Sequence, residues 1–334
     1  MGAIEDQHIY GLQIRESAND GSDFSNPDAD YGLLFYGEDK LWHAKDPSGT
    51  VTDPFSGGSG DVLPSTCEGR LTLTTGVPIT TTDVTAATTL YFTPFRGNRI
   101  GTYDGAAWSV NAFTEKSITL ATLTAGLPYD VFIVDSTLAL ELVAWTNATT
   151  RATALVLQDG IYCKTGALTR RYLGTVCIAA TGQSEDSLLK RYVWNYYNRV
   201  ERPMEVFDAT DTWTWNSATW HQANAAAGNK VEYVCGVSED LVNATVHGAA
   251  VTSGSNAGST GIGIDATNAN SARVMTELAG STNSEQNSFY RGWPGIGYHY
   301  VAWIEMARAG TMTFWGDAAQ AASTRSGLLV TVRG

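Results

Sequence analysis

Five histidines, His8, His43, His221, His247 and His299, are the residues of this 334-residue chain best suited to metal binding or proton transfer. They form no H-E-x-x-H or H-x-H pattern and stand far from any cysteine pair, so spacing assigns none of them as a ligand. Cys67, Cys163, Cys177 and Cys235 are scattered, without C-x-x-C spacing or the density of a disulfide scaffold, and read as buried free thiols in strands. "DADYG" (Asp28, Asp30, Gly32) hints at a calcium loop, but its glycine falls one position early and Asp39 stands where the loop wants glutamate. No G-x-S-x-G, Walker or G-x-G-x-x-G motif occurs, and "GWPGIGYHY" (Gly292 to Tyr300) precedes a strand, so it reads as a turn with a close backbone approach. The expectation is a non-enzymatic protein with no catalytic residue, no metal and no cofactor.

Aromatic residues offer a different chemistry, that of stacking. "KRYVWNYYNRV", residues 190 to 200, carries four rings flanked by Lys190, Arg191 and Arg199, as a nucleic-acid platform would. The chain has a net charge of −13, which repels a polyanion, so packing is the better reading. Leu188, Leu189, Tyr192, Val193, Tyr196 and Tyr197 recur at spacings of three and four, Ser184 can cap, and Pro203 can stop a helix, so the pattern predicts one connecting helix over 184–204. Leu189, Tyr192, Val193, Tyr196 and Tyr197 are then expected to pack between domains or between subunits. Trp293, Tyr298, Tyr300 and Trp315 are candidate glycan contacts, with core or interface packing as the competing reading for each.

The elements that must position these residues are nearly all strands. Charged residues make up 16% of the chain, against a usual share of about 25%. Residues 1–60 read as a polar arm followed by a small β-element in which "LLFY" and "LWHA" flank a turn, ending in a Gly/Ser linker. Residues 61–183 alternate β-branched and polar residues between Gly, Pro, Asn and Asp. There "TYDGAAW" and "LQDGIY" place Asp-Gly between strands, the pattern of a sandwich or barrel module. Residues 205–334 supply further short strands and close on a strand at 327–333, which suggests a second, jelly-roll-like β-sandwich. The fold class expected is therefore mainly β with one helix. The start of the chain shows no basic-then-apolar leader and no apolar run of membrane-spanning length, so no membrane insertion is expected.

One resemblance adds to this reading. "GRLTLTTGVPITTTDVTAATTLYFTPFRGNRIGTYDGAAWSV" and "RATALVLQDGIYCKTGALTRRYLGTVCIAATGQSEDSLLKRYVWNYYNRVERPM", covering residues 69 to about 204, resemble a module of tailed-bacteriophage virion proteins variously described as head-fibre, decoration or tail-fibre proteins. "LLFYGEDKLWHAKDPSGTVTDP" is similar to short virion-anchoring segments that precede such modules. The resemblance implies a homotrimer on the particle surface, assembled in the host cytoplasm. It would be joined to capsid or tail proteins through its N-terminal region, with Leu33, Leu34, Phe35, Leu41 and Trp42 as anchoring residues. The alternative it leaves open is a receptor-binding fibre or tip protein that recognises host-surface polysaccharide through its C-terminal sandwich. It implies no catalytic residues. With no coiled coil, β-helix or collagen-like run, a short spike or decoration fits better than a long fibre.

Overall fold

The structure, a computed structural model, describes residues 33–36, 42–52, 64–252, 256–279, 283–317 and 325–334. The Asp28–Gly32 segment, His8, Leu41 and the Gly/Ser linker lie outside the described residues. The chain divides into two compact units, Met1–Leu63 and Pro64–Gly334. The first contains a three-stranded antiparallel sheet of Leu33–Tyr36, Trp42–Lys45 and Val51–Thr52. Leu33 pairs with Lys45 and Tyr36 with Trp42, the hairpin expected around residues 37 to 40. Its second turn is closed by Asp46, whose Oδ1 accepts the Thr50 N–H at 2.8 Å while Gly49 takes φ 90°.

Among the described residues the regular elements are strands, apart from one 3₁₀ turn at Ala223–Ala225. The mainly β class holds, and the two Asp-Gly hairpins form as read. Tyr103 pairs with Trp108 around Asp104, and Gln158 pairs with Ile161 around Asp159 and Gly160, whose φ values of 50° and 81° make the two-residue turn that twisted strands favour. In the first half of the larger unit, Pro128–Val134 lies between Leu140–Asn147 and Ala167–Cys177. A small sheet of Gly69–Thr72, Thr89–Pro94 and Lys116–Thr119 lies nearby, and Leu71, Phe92, Ile100, Leu120, Val131, Ile133, Leu173 and Val176 fill one apolar core.

The second half is a two-layered sandwich. One layer runs in the order Leu278–Ala279, Ala257–Ile264, Gly297–Ala309, Lys230–Cys235, Lys190–Arg191, Ser184–Asp186 and Val84–Ala87. The other is built on Glu201–Phe207, Gly327–Arg333, Val242–Thr252, Asn283–Gly292 and Val274–Met275. Val231, Tyr233, Ile262, Val301 and Trp303 of the first layer pack against Met204, Val242, Ala244, Val246, Leu328, Val330 and Val332 of the second.

The connecting helix over 184–204 does not form; that segment is the strands Ser184–Asp186, Lys190–Arg191 and Val193–Asn195 and the start of Glu201–Phe207. Side chains from Tyr192 to Tyr197 alternate with period two. Tyr192, Trp194 and Tyr196 enter one cluster with Phe132, Tyr172 and Val234. Val193 and Tyr197 enter or pack on the core of the first half. Asn195 accepts the Leu71 N–H at 2.6 Å and donates to the Leu71 carbonyl at 3.1 Å. A segment that is apolar on both faces satisfies a helical and a strand period at once, which is why spacing alone misassigns it. Pro203 sits on the edge strand of its sheet, where a missing N–H is tolerated, rather than ending a helix. The same segment carries the first layer across the two halves, since Ser184 pairs with Ala87 and Lys190 with Glu232.

Candidate functional site

Two places in the larger unit gather polar and aromatic side chains from distant parts of the sequence. The first is the seam around residues 184–204. Tyr192 is 4% exposed, meets Tyr298 edge-on at 6.2 Å between ring centroids, and donates its hydroxyl hydrogen to Glu232. Burial first, and then that hydrogen bond, push the Tyr192 phenol far above its ordinary range. Tyr196 and Trp194 take the Arg199 guanidinium over their rings, and Arg199 pairs with Asp240 at 2.5 Å and Glu239 at 2.7 Å. Leu189, by contrast, stays 44% exposed.

Three charged side chains lock this seam. Asp130 accepts Arg151 Nε at 2.7 Å and the Thr175 hydroxyl at 2.8 Å, and Arg151 reaches on to the Gly236 carbonyl at 2.5 Å. A side chain at position 236 would begin 2.1 Å from the Tyr172 hydroxyl, so only glycine permits this approach. Asp186 accepts Arg191 at 3.0 Å, Arg202 at 2.8 Å and Thr80 at 2.8 Å. Arg171, 1% exposed, has no carboxylate partner among the described residues. It donates instead to the carbonyls of Pro64, Thr66, Gly101 and Ser65 and stacks on Tyr197 at 4.5 Å. These are structural groups: each cation or anion is consumed by a fixed partner.

The second place is a cleft of about 310 Å³ at one end of the outer face of the sandwich, lined by Glu201, Asp240, Asn243, Arg291, Trp293 and Thr331 among others. Register builds it. Asn243 pairs with Thr331 on one side and Arg291 on the other, a polar row across three strands, and Glu201 pairs with Arg333 in the next row, two residues along. Odd positions from Glu285 to Arg291 face outward, with Gln286 and Ser288 buried, and this alternation carries Arg291 and Trp293 to the same side. Trp293 is 67% exposed. Arg333 and Asp240 hold one another at 3.2 Å, whereas Glu201 and Arg291 have no ion-pair partner among the described residues.

Of the four candidate glycan contacts, the structure brings only Trp293 to this cleft. Tyr298 packs into the seam and donates its N–H to the Ala148 carbonyl at 2.8 Å, and Gly297 allows that close approach at φ 113°. Tyr300 lies under Lys230 at 5.0 Å. Trp315 is 8% exposed and packed on Ala249, its cross-strand partner. Glu201, Asn243, Arg291 and Thr331 escaped the sequence reading: they come together only through strand pairing, and none belongs to a motif. Of the anchoring residues, Phe35 is fully buried in its own small sheet, Leu33, Leu34 and Trp42 are half-buried, and Leu41 lies outside the described residues.

Among the described residues no group of three or more His, Cys, Asp or Glu side chains could hold a metal ion, and no helix is long and apolar enough to cross a membrane. No family model matches the chain, and no curated protein matches it. A solved structure similar to it is the insecticidal delta-endotoxin Cry8Ea1 from Bacillus thuringiensis, at 5% identity and a TM-score of 0.24, covering 80% of this chain and 52% of the toxin. The chain thus spans about half the length of that toxin, and a likeness this slight carries no argument about fold or activity.

Proposed function

We propose that this chain is a non-enzymatic structural protein of a tailed-phage particle, a short trimeric surface spike or decoration protein attached through its N-terminal unit. The observation that carries the reading is the division at Leu63/Pro64, a small β-unit ahead of a large, continuously packed one, together with the sequence resemblance over residues 69 to about 204. An attachment unit separate from a rigid displayed body is the organisation such a protein needs. Trimerisation rests on the resemblance. It is supported by an outward apolar row in which Leu329, Phe289 and Val274, 50%, 45% and 62% exposed, line up across the outer sheet through Thr245. Light scattering on the purified chain should give three copies, and a monomer would contradict that part. Quantitative mass spectrometry of gradient-purified particles should find the chain at a fixed copy number, and its absence from particles would overturn the assignment.

The second reading, a receptor-binding protein that holds host-surface polysaccharide through its C-terminal sandwich, is favoured by one observation, the solvent-facing Trp293 beside a polar cleft.

A further inference from the structure

We infer that the Trp293 cleft is a binding site for an uncharged glycan, with one sugar ring laid on the indole and its hydroxyls held by Asn243, Thr331, Arg291 and Glu201. This rests on the second reading above and specifies its ligand. Sites for drug-like ligands are mostly apolar and bury most of the ligand surface. This cleft is the opposite, open and walled by carboxylate, guanidinium, amide and hydroxyl groups, with a single large ring at its end. A sugar matches that mixture, since a pyranose offers an apolar C–H face to an aromatic ring and a rim of donors and acceptors to polar side chains.

The uncommitted groups set the specificity. None of Glu201, Asn243, Arg291 and Thr331 has a side-chain partner among the described residues, so their hydrogen-bonding capacity faces the cleft. Glu201 accepts hydroxyl hydrogens, Arg291 donates to ring and hydroxyl oxygens, and Asn243 does both. The opposite wall is fixed in advance, because Asp240 is held by Arg199 at 2.5 Å and by Arg333 at 3.2 Å, which lowers the ordering cost of binding. Charge excludes a polyanionic glycan. Glu201, Glu239 and Asp240 outnumber Arg291 and Arg333 in the lining, in a chain whose net charge is −13.

The test is a printed array carrying uncharged hexose and hexosamine glycans beside uronate-bearing and phosphate-bearing ones, probed with the full chain, followed by calorimetric titration of the strongest hit. Binding confined to uncharged glycans, weakened at least tenfold by Trp293→Ala and by Asn243→Ala with melting temperatures unchanged, is the expected result. Trp293 is a surface residue, so its loss should leave the fold intact, and Trp293→Tyr should restore part of the affinity. Binding to the acidic glycans alone, binding to no glycan, or equal binding by Trp293→Ala would overturn the inference. None of these outcomes bears on incorporation into particles, which is read separately.

Discussion

Arg202 Nη2 lies 2.8 Å from Asp186 Oδ2, and through that contact the edge strand Glu201–Phe207 of the second layer of the sandwich is tied to the strand Ser184–Asp186, which continues the first layer toward Val84–Ala87. Asp186 is also the acceptor for Arg191 and Thr80, so one carboxylate joins four segments of the chain in a region sealed from water. Burial lowers the Arg202 pKa, and Asp186 is the group that opposes that effect.

Replacing Asp186 with alanine should therefore leave two buried guanidiniums without a carboxylate and cost about 3–5 kcal/mol, the range for breaking a buried pair. Asp186→Asn keeps the acceptor toward Thr80 and Arg202 and should cost less. Urea unfolding followed by tryptophan fluorescence measures both.

The period-two arrangement of residues 192–197 makes a different demand from a helical stripe. Trp194, which a helix would place off its apolar face, is 3% exposed, whereas Leu189, inside that stripe, is 44% exposed. Trp194→Ala should lose about 3–5 kcal/mol. Leu189→Ala should stay within about 0.5 kcal/mol. The reverse order in denaturant titrations would favour the helical arrangement.

Much of the strand content was legible because turn chemistry is local: Asp104 and Asp159-Gly160 close hairpins with their own side chains and backbone angles. The last strand was also readable from its own residues, and Gly327–Arg333 forms as expected. What could not be read is whatever depends on partners far along the chain. Tyr192 and Tyr196 look like one face of a helix until Phe132, Tyr172 and Val234 bury them together with Trp194. The cleft is less legible still, since Glu201, Asn243, Arg291 and Thr331 are neighbours only after four strands pair in register.

Glu305 gives a pH dependence with a definite sign. It is fully buried between the layers, accepts the Trp213 indole N–H at 2.7 Å and lies 3.1 Å from His221, while its Oε2 has no partner among the described residues. Burial, the largest effect, raises its carboxyl above the ordinary 4.5, against opposing contributions from His221, Trp213 and the Asn224 N–H. The folded chain therefore holds this proton more tightly than the unfolded one, so the stabilisation is complete below 4.5 and is lost as pH rises through the folded value. Glu305→Gln should remove that slope and gain relative stability at neutral pH. Urea midpoints compared between acidic and neutral buffers test it.

The four cysteines are buried and unpaired, and burial pushes the thiols up to about 11 for Cys67 and Cys163 and about 12 for Cys177 and Cys235. Thiolate is the reactive form, so the native chain should resist a thiol-specific disulfide reagent at neutral pH and release four equivalents once unfolded in guanidinium. Rapid labelling of the native chain would contradict this burial.

The central claim, attachment to a particle through the N-terminal unit, is tested most directly by a chain that begins at Pro64. Such a cut keeps the Pro64, Ser65 and Thr66 carbonyls that hold Arg171, so residues 64–334 should fold with the melting temperature of the full chain. The measurement is the amount of this truncated chain, against the full-length one, in particles purified from cells supplying each in trans. The account predicts a folded protein that is missing from particles, and incorporation at the full-length level would contradict it.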